Sequence, residues 1–263
     1  MGVTIRSLNS SFLSLSLSLS LSPLPHLQYV RNLNDTIASV NDAQTVANLR
    51  KMIDAPSAYW LDVKAKVTKT ATSKYDVNHA HGILEDAKNK GGKLVLFMVY
   101  DLPNRDCHAK ASNGQICCKY NSDGTCDYLD TSDNCASGLN EYETTYIDPL
   151  ADLVEEYQND VPIVLVIEPD SLPNLATNAY DPRCGNAATD AAYKQGISYA
   201  VTKLAAKAPK ATIYVDAAHG GWLGWENNAK AFAEMIAGMN IAPYVRGESW
   251  EVFYVALHTG RCN

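Results

Sequence analysis

Hydrophobic and polar positions change period several times along the chain. Residues 13–22, LSLSLSLSLS, alternate strictly, the period of a strand. The run is also low-complexity, and with Arg6 upstream it is a candidate apolar stretch of a signal peptide, although SPLPHLQ offers no small-x-small cleavage site. From about residue 40 the pattern becomes regular. Val46, Leu49 and Ile53 share a helical face within 42–54, and 75–89 reads as a helix stopped by Gly91 and Gly92. Further helical spacing links Leu150, Leu153, Val154 and Tyr157, then Tyr193, Ile197, Val201 and Leu204, and a last helix covers 227–239. Between these lie short apolar runs that predict strands: SAYWLD (57–62), KLVLFMV (93–99), IVLVI (163–167) and TIYVD (212–216).

Strands that alternate with helices and are apolar almost throughout predict an α/β fold, either a parallel sheet covered on both faces or a barrel. The chain has 263 residues and is 46% apolar, enough for one large α/β domain or two small ones. Its net charge of −7 disfavours nucleic acid and anionic membranes as partners. The sequence has no apolar run of the roughly 18 residues that a membrane span needs. Of the seven cysteines, Cys117, Cys118, Cys126 and Cys135 fall in one polar stretch. This stretch reads as a disulfide-stapled insertion of a secreted protein; a zinc site is the alternative, but no paired CxxC is present. Asn34-Asp35-Thr36 is a glycosylation sequon, which carries little weight alone.

Candidate chemistry collects at the ends of the predicted strands. The first ends at Trp60 and Asp62, and the second runs into Tyr100, Asp101, Arg105 and Asp106. The third ends in Glu168 and Asp170, and the fourth in Asp216, His219, Trp222 and Trp225. A single Asp at a strand end is ordinarily a turn former or an N-cap. The set, gathered at the rim where parallel α/β folds bind ligands, reads as a site. Arg105 is expected to hold a neighbouring carboxylate ionised while burial keeps another carboxyl protonated, and two carboxyls so separated can do acid–base work. Trp60, Trp222 and Trp225 read as platforms for sugar rings, and the combination points to glycoside hydrolysis. There is no GxSxG elbow, P-loop or GxGxxG. His79 and His81, two apart on a predicted helix, are not expected to face together. His219 with Asp216 is half of a metal site at most, so a structural or substrate-binding role is expected for it.

At these residues the chain resembles glycoside hydrolase family 6, the cellobiohydrolase II and endoglucanase family. SAYWLD, VYDLPNRDC with ASNG, LVIEPDSLPNL, DPRC and DAAHGGWLGW occur in family order over roughly residues 40–247. The resemblance implies a distorted parallel β/α barrel, here incomplete at the C-terminus, that cuts β-1,4-glucan with inversion and without cofactor or metal. It implies Asp170 as general acid, with Asp106 as a second acid that keeps the proton in place. Tyr100 would crowd the sugar at the cleavage point, and Ser112 would sit on a mobile loop near the attacking water. Trp60 and Asp62 match the glycone side of the cleft, and His219, Trp222 and Trp225 the leaving-group side. Cys107 and Cys184 match a disulfide. Glu168 reads as support for the acid rather than as a catalytic group.

The implied protein is a secreted monomer acting on cellulose or cello-oligosaccharides. The alternative is a glucan-binding or inactive fragment of such an enzyme. The division expected is a leader region over 1–38, the catalytic domain over 39–247 and a divergent tail over 248–263. The insertion 115–138 is larger than the usual family loop and is placed to reshape the cleft roof. Whether the chain attacks ends or internal bonds, how Cys117, Cys118, Cys126 and Cys135 pair, and which group is the base all stay open. After PYVRG (243–247) the family pattern gives way to ESWEVFYVALHTGRCN, which includes Cys262. A frameshift or retained intron is the expectation there, tested by sequencing the transcript. Missing barrel strands would leave two open sheet edges and poor folding.

Overall fold

The computed structural model describes residues 24–249 apart from 54 and 179. The Ser-Leu run, most of the expected leader and nearly all of the tail with Cys262 lie outside the described residues. Leu27–Ser39 (α1) and Ala43–Ile53 (α2) form a helical pair ahead of the sheet. Leu24 ties this pair to the sheet: its N–H donates to the Leu94 carbonyl, and His26 stacks on Tyr59 with ring centroids 4.4 Å apart. The sequon therefore sits on the exposed side of α1, on a helix rather than in a loop.

The remaining elements alternate. Tyr59–Leu61 (β1) leads to Ala80–Asn89 (α3) and Val95–Val99 (β2). The long insertion follows, then Ala136–Tyr142 (α4), one π-helical turn at Glu143–Ile147, Asp148–Tyr157 (α5) and Ile163–Ile167 (β3). Ser171–Asn178 (α6) and Ala187–Lys207 (α7) cross to Thr212–Asp216 (β4), and Gly220–Leu223 (α8) with Glu226–Met239 (α9) lead to Gly247–Ser249 (β5). All neighbouring strands are parallel, in the order β1-β2-β3-β4-β5. β1 and β5 are the edges among the described residues, so the sheet is open and does not close into a barrel.

Sequential order with right-handed crossovers puts successive helices on the same side of the sheet. The burial pattern agrees. Leu61, Val95, Phe97, Val99, Leu165, Ile167 and Val215 alternate along their strands and are fully enclosed in the core. The register places Trp60, Met98, Val166, Tyr214 and Gly247 in one row on the opposite face, and Trp60 and Tyr214 there are only half-buried. The sheet is thus sealed by helices on one face, rather than on both as one sequence reading allowed.

The expected helix over 75–89 begins later. His79 is the N-cap of α3, its Nδ1 accepting the His81 N–H at 3.0 Å. Because His79 precedes the helix, the two rings meet edge-on at 6.4 Å, contrary to the helical-spacing expectation. Both are buried and locally bonded, His81 to Ser73 Oγ at 2.8 Å and His79 to the Thr68 carbonyl at 3.0 Å. In the insertion, Cys117 is bonded to Cys126 and Cys118 to Cys135, which excludes the zinc alternative. Cys107 is bonded to Cys184. The insertion packs against the segment that leads into α7: Asn186 Nδ2 donates to the Tyr128 carbonyl at 2.7 Å, and Arg183 lies 4.8 Å from the Tyr128 ring centre.

Candidate active site

The segments that follow β2 and β3, together with α7, deliver side chains to one cavity of about 340 Å³, lined by Asp106, Ser112, Asp170, Asn174, Asn178 and Tyr193 among others. None of residues 115–138 lines it, so the insertion does not roof this cavity. The turns that aim the acids are unusual in their backbone. Asn104, Asp106, Glu168, Asp170 and Ala218 all have φ between 48° and 65°. Non-glycine residues in this left-handed region cost on the order of 1 kcal/mol each, and they persist where the surroundings hold them.

Asp170 is half-buried at the start of α6. Its N–H donates to Asp216 Oδ2 at 2.8 Å, which also accepts from the Ala218 N–H at 3.2 Å. Burial raises the Asp170 pKa, and the negative charge of Asp106 raises it further, with His219 opposing. Burial likewise lifts Asp216 to about 6. Opposite Asp170, Asp106 Oδ2 accepts the Tyr100 hydroxyl. Burial, then this bond, keeps the phenol protonated far above its ordinary range.

Arg105 does something other than the sequence reading supposed. Its guanidinium stacks 4.0 Å from the centre of the Tyr100 ring and donates to three carbonyls: Tyr100, Asp62 at 3.2 Å and Ser112 at 3.0 Å. The carboxylate within ion-pair reach is Asp101, at 3.5 Å, not Asp106. Even so, burial outweighs Arg105 and Gln115 and pushes Asp101 up to about 7. Arg105 therefore staples backbone segments together more than it holds an acid ionised.

The flanking residues spread outward. Trp60 meets the Tyr100 ring edge-on at 5.3 Å, and Asp62 pairs with Lys66 at 2.6 Å. His219 and Trp222 meet edge-on at 6.1 Å, and the Trp222 indole donates to Thr177 Oγ1 at 3.1 Å. Trp225 is 68% exposed. None of the three tryptophans lines the acid cavity itself.

The sequence profile of glycosyl hydrolases family 6 matches residues 23–253. The chain belongs to this family. It is 37% identical over 240 residues to Exoglucanase A of Cellulomonas fimi, covering 85% of this chain and 25% of that protein. It is 39% identical over 210 residues to 1,4-beta-D-glucan cellobiohydrolase C of Emericella nidulans, covering 80% and 39%. The solved catalytic domain of CcCel6A, complexed with p-nitrophenyl beta-D-cellotrioside, superposes with a TM-score of 0.66 at 32% identity, covering 87% of this chain and 58% of that one. The chain thus spans well under half the length of these two curated relatives.

Within this family 6 cleft, sequence reasoning passed over Asn174, Asn178, His108 and Tyr193, all of which line the cavity. Asn174 and Asn178 were findable, because they lie four and eight residues after Asp170 on one helical face. His108 pairs with Asp181 at 2.7 Å, and neither the strand-end pattern nor any periodicity pointed to that contact. Cys184 lies beside this pair, but its sulfur is committed to Cys107 and cannot serve as a thiolate ligand.

Proposed function

We propose that the chain carries an inverting β-1,4-glucanase site, acting outside the cell as a monomer on cellulose or cello-oligosaccharides. Asp170 is the general acid that protonates the glycosidic oxygen as the bond to the leaving sugar breaks. Water attacks the opposite face of the anomeric carbon in a single displacement. Asp106 keeps the Asp170 proton in place and supports the positive charge that develops on the ring. Tyr100 crowds the sugar at the cleavage point, and the Ser112 loop borders the water's approach. Trp60 and Asp62 take the glycone side, and His219, Trp222 and Trp225 take the leaving-group side. The named substrates and ligand of the relatives above support this choice of sugar, and the disulfides support an oxidising compartment.

One observation carries the reading. Asp170 and Asp106 border the same cavity, and burial together with the Asp106 charge biases Asp170 towards its protonated form. A carboxyl poised this way is what an acid catalyst near neutral pH requires. The test is hydrolysis of soluble cello-oligosaccharides, with product anomers followed by NMR. An α-anomer as first product is expected, and Asp170→Asn is expected to abolish turnover while cellotetraose still binds. A β-anomer would overturn inversion, and folded protein that binds without turnover would reduce the site to glucan recognition.

A further inference from the structure

We propose that Glu168 is a positioning residue of this cleft: its buried carboxyl group fixes the backbone beside Tyr100, and through it the phenol that touches Asp106. The inference rests on the catalytic reading above, because the place of that phenol matters to turnover only where bonds are broken.

Both peptide groups flanking the Tyr100 Cα are held. On the amino side, the Tyr100 N–H donates to the Leu61 carbonyl at 3.1 Å and to the Tyr146 hydroxyl oxygen at 2.9 Å. On the carboxyl side, the Tyr100 carbonyl accepts from Arg105, and the Asp101 N–H on the other edge of the same peptide donates to both Glu168 oxygens at 3.1 Å. The Leu102 N–H adds a bond to Glu168 Oε2 at 3.3 Å. Two fixed peptide planes restrict φ and ψ of Tyr100, so the scaffold sets its Cα–Cβ direction, and the Arg105 guanidinium on its ring and the Asp106 carboxylate at its hydroxyl hold the ring from there.

Glu168 is itself rigidly placed. Its N–H donates to the Val99 carbonyl at 2.7 Å, its φ is 48°, and Tyr142 donates to its Oε1 at 2.8 Å. Tyr142 and Tyr146 lie on either side of the π turn's start, and together they reach the ends of β1, β2 and β3. At 1% exposure Glu168 cannot touch substrate, so it acts only through what it holds. The site requires a carboxyl. The two amide N–H groups and one hydroxyl converge on its oxygens, and an amide in its place would turn an NH₂ towards donors.

The experiment compares the full chain with Glu168→Gln and Tyr142→Phe. It measures kcat and KM on cellotetraose and amide hydrogen exchange at Asp101 and Leu102 by NMR. For Glu168→Gln, kcat is expected to fall by up to about tenfold, the loss expected when the Tyr100 hydroxyl is no longer held on Asp106, with KM within about twofold. Losing the hydrogen bonds to this carboxyl group should speed exchange of the two amides by roughly tenfold. Tyr142→Phe, which removes one hydroxyl and keeps the ring, should move both readouts the same way by less, and it decides the matter if Glu168→Gln does not fold. Unchanged kcat with both amides still protected would overturn the proposal. So would a loss carried by KM. If the unmodified chain turns over no cello-oligosaccharide, the catalytic reading fails by itself, and the exchange rates still decide whether Glu168 holds the loop.

Discussion

The proton that Asp170 is proposed to give up is kept by two separable influences, burial and the charge of Asp106. They can be pulled apart at a single residue. Asp106→Asn removes the charge and leaves the cavity shape, so the Asp170 pKa should fall towards the ordinary carboxylate range. If turnover needs Asp170 protonated, the alkaline limb of the kcat–pH profile should move to lower pH. An unmoved limb would show that burial alone sets this acid. Tyr100→Phe asks a narrower question, since it removes the hydroxyl on Asp106 and keeps the ring stacked under Arg105. Neutral hydrogen bonds are worth about 1 kcal/mol and those to charged groups about twice that, so a loss of roughly tenfold in kcat, with cellotetraose binding retained, is expected.

At the scale of elements, the cleft depends on close packing behind it. Gly196 in α7 faces Leu102 and Tyr142, and a Cβ there would come within 2.6 Å of Leu102 Cδ2 and 3.4 Å of Tyr142 Cε1. Gly196→Ala should cost about 1–3 kcal/mol in urea unfolding, the usual range for overpacking, and should disturb the segment that Glu168 and Tyr142 hold. An unchanged midpoint would mean that Leu102 moves aside freely. The same elements explain what could be read from sequence. β1 to β4 are apolar runs bounded by turn residues, and all four were legible because burial on the helical face dictates Val, Ile, Leu and Phe. The acids at their ends were legible because rim position and residue type coincide. β5 was not legible: Gly-Glu-Ser carries no β pattern, and its pairing with Tyr214–Asp216 comes from the neighbouring strand. The π turn has no local signature either, so the carbonyl and carboxyl that Tyr146 and Tyr142 reach could not be inferred. Arg105 was assigned to a carboxylate because charge is visible in sequence and carbonyl geometry is not.

Taken whole, the molecule buries carboxyl groups at the ends of its central strands. Asp101, Glu168 and Asp216 are raised by burial to about 7, 8 and 6 from ordinary values of 3.8, 4.5 and 3.8. The folded state therefore binds more protons than the unfolded chain between roughly pH 4 and 8. Their contribution to stability is full below about pH 4 and is lost as pH rises through these folded values. Denaturant midpoints should thus decline from pH 5 to pH 8, and Glu168→Gln should flatten the decline. A midpoint that rises over this range would contradict the burial argument. The cysteine staples of the insertion carry a different kind of consequence. Cys117 and Cys118 are adjacent in the chain but bonded to Cys126 and Cys135. Four such thiols admit three pairings, and six admit fifteen. A reduced chain must therefore choose between partners that a one-residue slip would exchange. Recovery from the reduced state becomes a search through wrong isomers, lasting seconds to hours unless an isomerase shortens it, so the yield of folded protein should depend on the redox history of its synthesis as much as on its sequence.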